Sequence, residues 1–144
     1  MAGFRTGLAA AVAVVCMAAN AEAQPFNWDE IGAAFCRAAV AEDLRSLGPV
    51  LSPSLRQKIE GAARQGEVSP RMLLQAYDAP ARCSARTRNA AIVEVRREPA
   101  QGAGWTDYLV MVPEADGSTR IDDILFATRR SDTLRERLKL ALGR

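Results

Sequence analysis

The pattern of hydrophobic and polar residues is clearest between residues 105 and 126, where it predicts two β-strands joined by a turn. In residues 105–112 alternate side chains would point to opposite faces of a strand, and both alternating sets are largely apolar. This strand is therefore predicted to lie inside a sheet and to be covered on both faces. Pro113 ends it because proline has no N–H for the ladder, and Asp116-Gly117 supplies the turn.

The return strand, residues 119–126, lacks this regular alternation. Ile121 and Ile124 are three residues apart, with Asp122 and Asp123 between them. A β-bulge at the two aspartates would place both isoleucines on one face and would bend the sheet. We therefore predict a bulge at this pair.

The N-terminal half of the chain has a helical pattern instead. Residues 28–47 carry an apolar stripe at helical spacing, and Asn27 and Glu30 are spaced as a capping box at its start. Ser52-Pro53 and Ser69-Pro70 each combine a capping serine with a proline at the first helical position, so each predicts the start of a further helix.

The remaining segments complete an α+β pattern. Residues 81–88 are polar and predict a loop, residues 89–97 predict a strand, and Ser131 is expected to cap a last helix. Helices followed by consecutive, closely linked strands favour an α+β fold with an antiparallel sheet. We predict N-terminal helices packed on a curved sheet of three or four strands, with a C-terminal helix.

Residues 1–23 have the features of a cleaved export signal. Their apolar core, residues 8–19, is shorter than the roughly 20 residues of a membrane span, and Ala21-Glu22-Ala23 is a small-x-small cleavage site. The mature protein is predicted to begin at Gln24, to be periplasmic or secreted, and to have no stable membrane span. Residues 24–144 are long enough for one domain.

Two cysteines, Cys36 and Cys83, remain after this cleavage. An even number of cysteines in an oxidising compartment predicts one disulfide. A metal-binding or redox pair is the alternative, but the chain has no CxxC motif and no histidine. The formal net charge of +2 is too small to predict nucleic acid as a partner.

Four polar residues of the two central strands are the candidates for a catalytic site: Asp107, Tyr108, Asp122 and Asp123. Neighbouring carboxylates can act as acid and base, and a buried tyrosine can donate to an oxyanion. The alternative is that the Asp pair is structural, paired with arginines or facing water. We found no phosphate-binding glycine loop and no metal-ligand spacing, so no cofactor and no metal site is expected.

The C-terminal helix and the residues before it are basic. This predicted partner surface comprises Arg129, Arg130, Arg135, Arg137 and Lys139. Such a surface is either simply solvated or a docking site for an acidic partner.

The order of elements and several stretches of sequence resemble the nuclear transport factor 2-like superfamily, which has a cone-shaped α+β fold. Residues 35–44 and Leu51-Ser52-Pro53 are similar to the start of that domain, and residues 105–109 and 120–124 are similar to its last two strands. Within the superfamily, the pattern resembles small exported bacterial proteins of unassigned function. The resemblance covers residues 28–126. The Asp–His pair of the superfamily's enzymes cannot be carried over, because the chain has no histidine.

These features together predict an exported, non-enzymatic protein that binds a protein partner or a small ligand. Two alternatives stay open: a histidine-free hydrolase or isomerase using the Asp/Tyr cluster, and a structural envelope protein that forms a homo-oligomer through an exposed sheet face. A large apolar pocket containing the Asp and Tyr side chains would favour the enzyme. A filled cone with an exposed apolar patch would favour the structural protein.

Overall fold

A computed structural model describes residues 27–66, 69–75 and 77–143. The predicted signal peptide and its cleavage site lie outside these residues. The elements in chain order are helix α1 (Asp29–Ala41), a 3-10 helix (Arg45–Val50), α2 (Pro53–Arg64), α3 (Pro70–Leu74), strands β1 (Arg82–Asn89), β2 (Ile92–Glu98), β3 (Trp105–Pro113) and β4 (Thr119–Leu125), and α4 (Leu134–Ala141).

The four strands form one antiparallel sheet in the order β1-β2-β3-β4, so each strand pairs with its neighbours in sequence. The helices pack against one face of this sheet, and the core lies between the two layers. The predicted α+β fold, with helices first, then an antiparallel sheet and a C-terminal helix, is confirmed.

Strand β1 was predicted to be a loop, and this prediction is wrong. Its residues alternate between half-buried and exposed, with Cys83 and Ala85 facing the helices and Arg82 and Arg86 facing solvent. The charged residues of this edge strand lie on its solvent-facing side, which made the segment look like a polar loop. The small size of the inward residues hid the alternation.

The predicted coverage of β3 on both faces is also wrong. Its odd-numbered residues 105–111 are buried under the helices, whereas the even-numbered residues 106–112 are only half-buried. The strand is interior because it pairs with β2 and β4, and its second face is partly open to solvent.

The predicted bulge in β4 is confirmed. Val110 pairs with Asp123 and Met111 pairs with Ile121, so Asp122 is the extra residue on β4. Ile121 and Ile124 are both fully buried, as the bulge requires.

The start of α2 follows its predicted signal, but the start of α1 does not. The Ser52 hydroxyl accepts a hydrogen bond from the N–H of Leu55 at 3.1 Å, and Pro53 is the first helical residue. In contrast, Asn27 accepts from the N–H of Asp29 and not from that of Glu30, so the capping box is absent.

Two helix boundaries differ from those predicted. Helix α1 ends at Ala41 and not near residue 47, because Glu42 adopts the left-handed conformation with φ of 52°. Helix α4 is capped by Thr133 and not by Ser131, since the Thr133 hydroxyl accepts from the N–H of Glu136 at 3.2 Å.

The predicted disulfide joins α1 to β1. The sulfur atoms of Cys36 and Cys83 are 2.03 Å apart, and Cys36 is buried beside Phe35 in the core. The bridge fixes α1 over the edge strand, where the two elements also make their closest packing. At that point Gly32 faces Ala85, and a Cβ atom added to Gly32 would lie 2.5 Å from the Cβ of Ala85.

This close approach predicts opposite effects for two glycine-to-alanine substitutions in helices. Gly32→Ala should lower the free energy of unfolding by about 1–3 kcal/mol, because the added methyl overpacks α1 against β1. Gly61→Ala should raise it by up to about 1 kcal/mol through helix propensity, since its Cβ would meet only Arg64, at 4.0 Å. Urea denaturation of both variants measures the contrast. Equal effects would show that α1 does not approach β1 this closely.

Candidate functional site

The four residues predicted as a polar cluster do not form one site. Asp107 and Tyr108 are adjacent on β3 and therefore point to opposite faces of the sheet. Asp107 is fully buried under the helices, whereas the Tyr108 ring is half-buried on the other face, 5.9 Å from the guanidinium of Arg88. This arrangement does not support an Asp/Tyr acid–base pair on β3.

Asp107 instead forms a buried ion pair with Arg97 of β2. The Nε atom of Arg97 lies 2.8 Å from Oδ2 of Asp107, and both side chains are fully buried. The two oxygens of Asp107 have further donors: the indole N–H of Trp105 donates to Oδ2 at 3.3 Å, and the backbone N–H of Ala127 donates to Oδ1 at 2.8 Å. The carboxylate is thus enclosed by donors that neutralise it.

The other side of the Arg97 guanidinium contacts α3 and the residue after it. Nη1 donates to the carbonyl of Leu74 and to Oε1 of Gln75, the latter at 2.9 Å. Burial lowers the pKa of Arg97 to about 10, although the Asp107 carboxylate acts in the opposite direction. Burial likewise raises the pKa of Asp107, against the effect of Arg97. Desolvation is therefore the main electrostatic cost of this pair.

Arg97 was not among the predicted site residues, although the alternation along β2 contains the signal. Val93 and Val95 are buried, and Arg97 continues the same alternating set, two residues further on. In the β2–β3 hairpin, Val95 pairs with Asp107, which makes Arg97 the diagonal neighbour of Asp107. A charged residue at an inward position of β2 predicts an oppositely charged partner at an inward position of the next strand, and Asp107 is that partner.

The bulged Asp122 connects β4 to two helices. Its Oδ1 accepts a hydrogen bond from the Ser52 hydroxyl at 2.7 Å and from Nη2 of Arg135 at 2.5 Å. Asp123 accepts from the N–H of Arg135 at 3.0 Å and from that of Ile124. The Asp pair therefore joins the beginnings of α2 and α4 to the sheet, which is a structural arrangement.

The predicted basic partner surface is only partly available. Arg135 is engaged by Asp122, as described, and Arg137 makes a two-point contact with Asp132 at 2.6 and 2.7 Å. The guanidinium of Arg137 also stacks 3.6 Å from the centre of the Phe126 ring. The guanidinium groups of these two arginines contact the protein itself. They are therefore not part of the exposed basic surface that the sequence predicted.

The three other members of that surface are exposed. Lys139 lies 3.6 Å from Glu136 on the same helix, in a solvent-accessible pair. Arg129 and Arg130 precede the helix. A role for these three residues in binding an acidic partner stays a prediction.

The strongest candidate for a binding site is a groove between the end of α1 and helix α2, here called the α1–α2 groove. Its volume is about 780 Å³, within the range of small-ligand sites. Uncharged side chains line it from both sides: Leu44 and Leu51 from the connection, and Ile59 and Ala63 from α2. Gly48 lies between them without a side chain to fill the space.

Charged side chains of both signs also line the groove. They are Glu42, Asp43, Arg45, Arg56, Glu60 and Arg64. None of the ion pairs found within the described residues involves any of these six side chains. Among the described residues these six charges therefore have no oppositely charged side chain in direct contact, although Asp43 accepts a hydrogen bond from the N–H of Arg45 at 3.0 Å.

Within residues 27–66, 69–75 and 77–143, no helix is sufficiently long and apolar to span a membrane. The same part of the chain has no group of three or more histidine, cysteine or acidic residues placed to hold a metal ion.

Comparisons with known proteins identify no relative. No family model, no curated protein and no solved structure matches the chain. The resemblance to the nuclear transport factor 2-like superfamily is therefore still a prediction.

Proposed function

We propose that this protein is an exported binding module whose ligand occupies the α1–α2 groove. The observation that carries the proposal is the groove itself, which combines apolar lining residues with six charged side chains that form no ion pair with any residue the structure describes. Apolar surface supplies affinity on burial, and charges at the edge of a site fix the orientation and identity of a ligand. Such a combination suits a partner segment or a small molecule that has both apolar and charged groups.

Binding is favoured over the hydrolase or isomerase alternative by the positions of the reactive groups. The Ser52 hydroxyl caps α2 and donates to Asp122, so it is already used in the fold. Both described cysteines are joined to each other, and Asp107 is neutralised by Arg97. These contacts leave Ser52, the two cysteines and Asp107 in structural roles.

Export supports the same proposal. The disulfide between Cys36 and Cys83 is typical of proteins that fold in an oxidising compartment. We infer that the signal at residues 1–23 directs the chain there and that the mature protein meets its ligand in the periplasm or outside the cell.

Site-specific photocrosslinking tests the groove as the binding site. p-Benzoylphenylalanine placed at Ala63, which lines the groove, should crosslink to a molecule from an envelope extract of the source organism. The same group at Gln57, an exposed residue of α2 outside the groove, is the matched control. We expect a discrete product from position 63 and none from position 57.

A second substitution distinguishes the groove from its surroundings. Gly48→Leu should fill the groove and abolish the crosslink from position 63, whereas Gly48→Ala should retain it. Gly48 tolerates this change, because a Cβ there would meet only the Cδ of Arg56, at 4.0 Å. Equal products from positions 57 and 63, or a crosslink that survives Gly48→Leu, would reject the groove.

A further inference from the structure

Strand β1 is at the edge of the sheet, and part of its outer side is open. Near its end, the N–H of Thr87 points away from β2, because it donates to Oδ1 of Asp29 at 2.8 Å. Backbone direction alternates along a strand, so the N–H groups of Ala85 and Cys83 point outward as well. Within the described residues these two have no backbone partner on that side. The edge is therefore covered at Thr87 and available at residues 83–85.

A shallow channel follows this open edge. Two adjoining depressions of about 490 and 400 Å³ share Val40, Cys83 and Ser84 as lining residues. Helix α1 forms one wall, where Val40 is 45 % exposed, and β1 forms the other. Ala33 and Ala85 line the channel beside the close contact of α1 with β1. An open edge strand beside a helix with an exposed apolar side chain is the geometry in which an extended peptide can add as a further strand.

The charges on β1 indicate which chain fits. Arg82, Arg86 and Arg88 project from one face of the strand, alternating with Ser84, and they form exposed ion pairs with two acids of β2, Glu98 and Glu94. The neighbouring Arg96 of β2 is exposed on the same face and forms no ion pair among the described residues, so four arginines face two glutamates and the face keeps an excess of positive charge. A second copy of the chain, paired antiparallel about residue 85, would place Arg82 opposite Arg88, and like charges directly opposite each other are unfavourable. A strand with acidic residues at alternate positions would instead place its carboxylates beside this excess of arginines, whose existing ion pairs are exposed to solvent and therefore weak.

We propose that the β1 edge is a second binding site, which accepts an acidic, extended segment of a partner protein by strand addition. The peptide backbone bonds to the outward N–H and C=O groups at residues 83–85, and its acidic side chains pair with the arginines of β1. Apolar side chains on its other face contact Val40. This site is separate from the α1–α2 groove, so neither proposal depends on the other.

The test uses the folded, oxidised protein and a synthetic peptide, acetyl-Glu-Val-Glu-Val-Glu-Val-amide, with its lysine counterpart acetyl-Lys-Val-Lys-Val-Lys-Val-amide as the charge control. Amide shifts in a ¹⁵N-labelled sample should change at residues 81–87 with the acidic peptide and not with the basic one. Affinity should decrease as salt is added, since the contribution of the arginines is screened. No shift with the acidic peptide, or equal shifts with both peptides, would overturn the proposal.

Two matched substitutions separate this site from non-specific attraction. Val40→Glu adds a negative charge to an exposed position of the channel. It should lower the affinity for the acidic peptide by about tenfold or more. Leu140→Glu makes a similar change on α4, at a residue that is 73 % exposed, and should leave the affinity unchanged. Equal weakening by both substitutions would contradict the proposal. So would a dimer in sedimentation analysis that dissociates on Val40→Glu, because it would place a second copy on this edge.

Discussion

Asp107→Asn is expected to lower the free energy of unfolding by about 3–5 kcal/mol, because it leaves the buried Arg97 guanidinium without its counter-charge. Both side chains are fully buried in the fold. The surviving arginine would then carry the desolvation cost alone. Urea denaturation monitored by circular dichroism measures this loss.

The exposed pair Arg82–Glu98 is the matched control for burial. Its charged atoms are 2.7 Å apart, as close as those of Arg97 and Asp107, but its side chains are 82 % and 40 % exposed. Glu98→Gln should therefore change stability by less than about 1 kcal/mol. The double substitution Arg97→Met with Asp107→Leu should be less harmful than the sum of the two single changes. Additive effects would mean that the pair is not energetically coupled.

Loss of the disulfide is the second large effect that we expect. Cys36→Ser or Cys83→Ser should each lower stability by about 2–5 kcal/mol, the usual cost for a small secreted domain. The bridge spans 47 residues, and the chain-entropy estimate for a loop of that length is about 4 kcal/mol. Thermal unfolding of the two variants, and of the wild-type protein with and without a reducing agent, measures the contribution.

The response to a reducing agent is the control for this experiment. Reduction should lower the melting temperature of the wild-type protein and should have no further effect on either serine variant. Two free thiols in non-reducing peptide mapping, or a wild-type melting temperature that does not respond to reduction, would contradict the bridge.

Much of the fold could be predicted because its signals are local. The serine–proline start of α2 and the turn at Asp116-Gly117 depend on the conformational preferences of a few residues. The bulge at Asp122 also followed from the sequence, since two buried isoleucines three residues apart cannot otherwise share a face of a strand. The paired cysteines required only an even count and an oxidising compartment.

The features that could not be predicted depend on tertiary contacts. Strand β1 resembles a loop in the sequence because its inward residues are small, and it forms by pairing with β2 and by packing under α1. The inward position of Arg97 is explained by its ion pair with Asp107, which forms only when β2 and β3 pair. Arg135 and Arg137 looked like an exposed surface, since their partners Asp122 and Asp132 become neighbours through the packing of α4 and the turn before it.

The α1–α2 groove had no signal in the sequence at all. Its base consists of apolar residues that a helical pattern assigns to the core, and the charged residues around it have the ordinary pattern of a solvated helix face. What makes the groove is the left-handed turn at Glu42, which ends α1 early and sends the chain through a 3-10 helix before α2. A change of direction at one residue is not encoded in hydrophobic periodicity.

The two edges of the sheet are attached to the helices by different kinds of bond. At β1 the attachment to α1 is covalent, through Cys36 and Cys83. At β4 the attachment combines a backbone hydrogen bond, from the N–H of Ser52 to the carbonyl of Ile121 at 2.8 Å, with the contacts of Asp122 to Ser52 and to Arg135. The side chains of Asp122 and Arg135 remain 32 % and 27 % exposed, so dissolved ions can screen this ion pair but cannot affect the disulfide. Raised ionic strength therefore weakens one contact between β4 and α4 and leaves the covalent link between β1 and α1 unchanged.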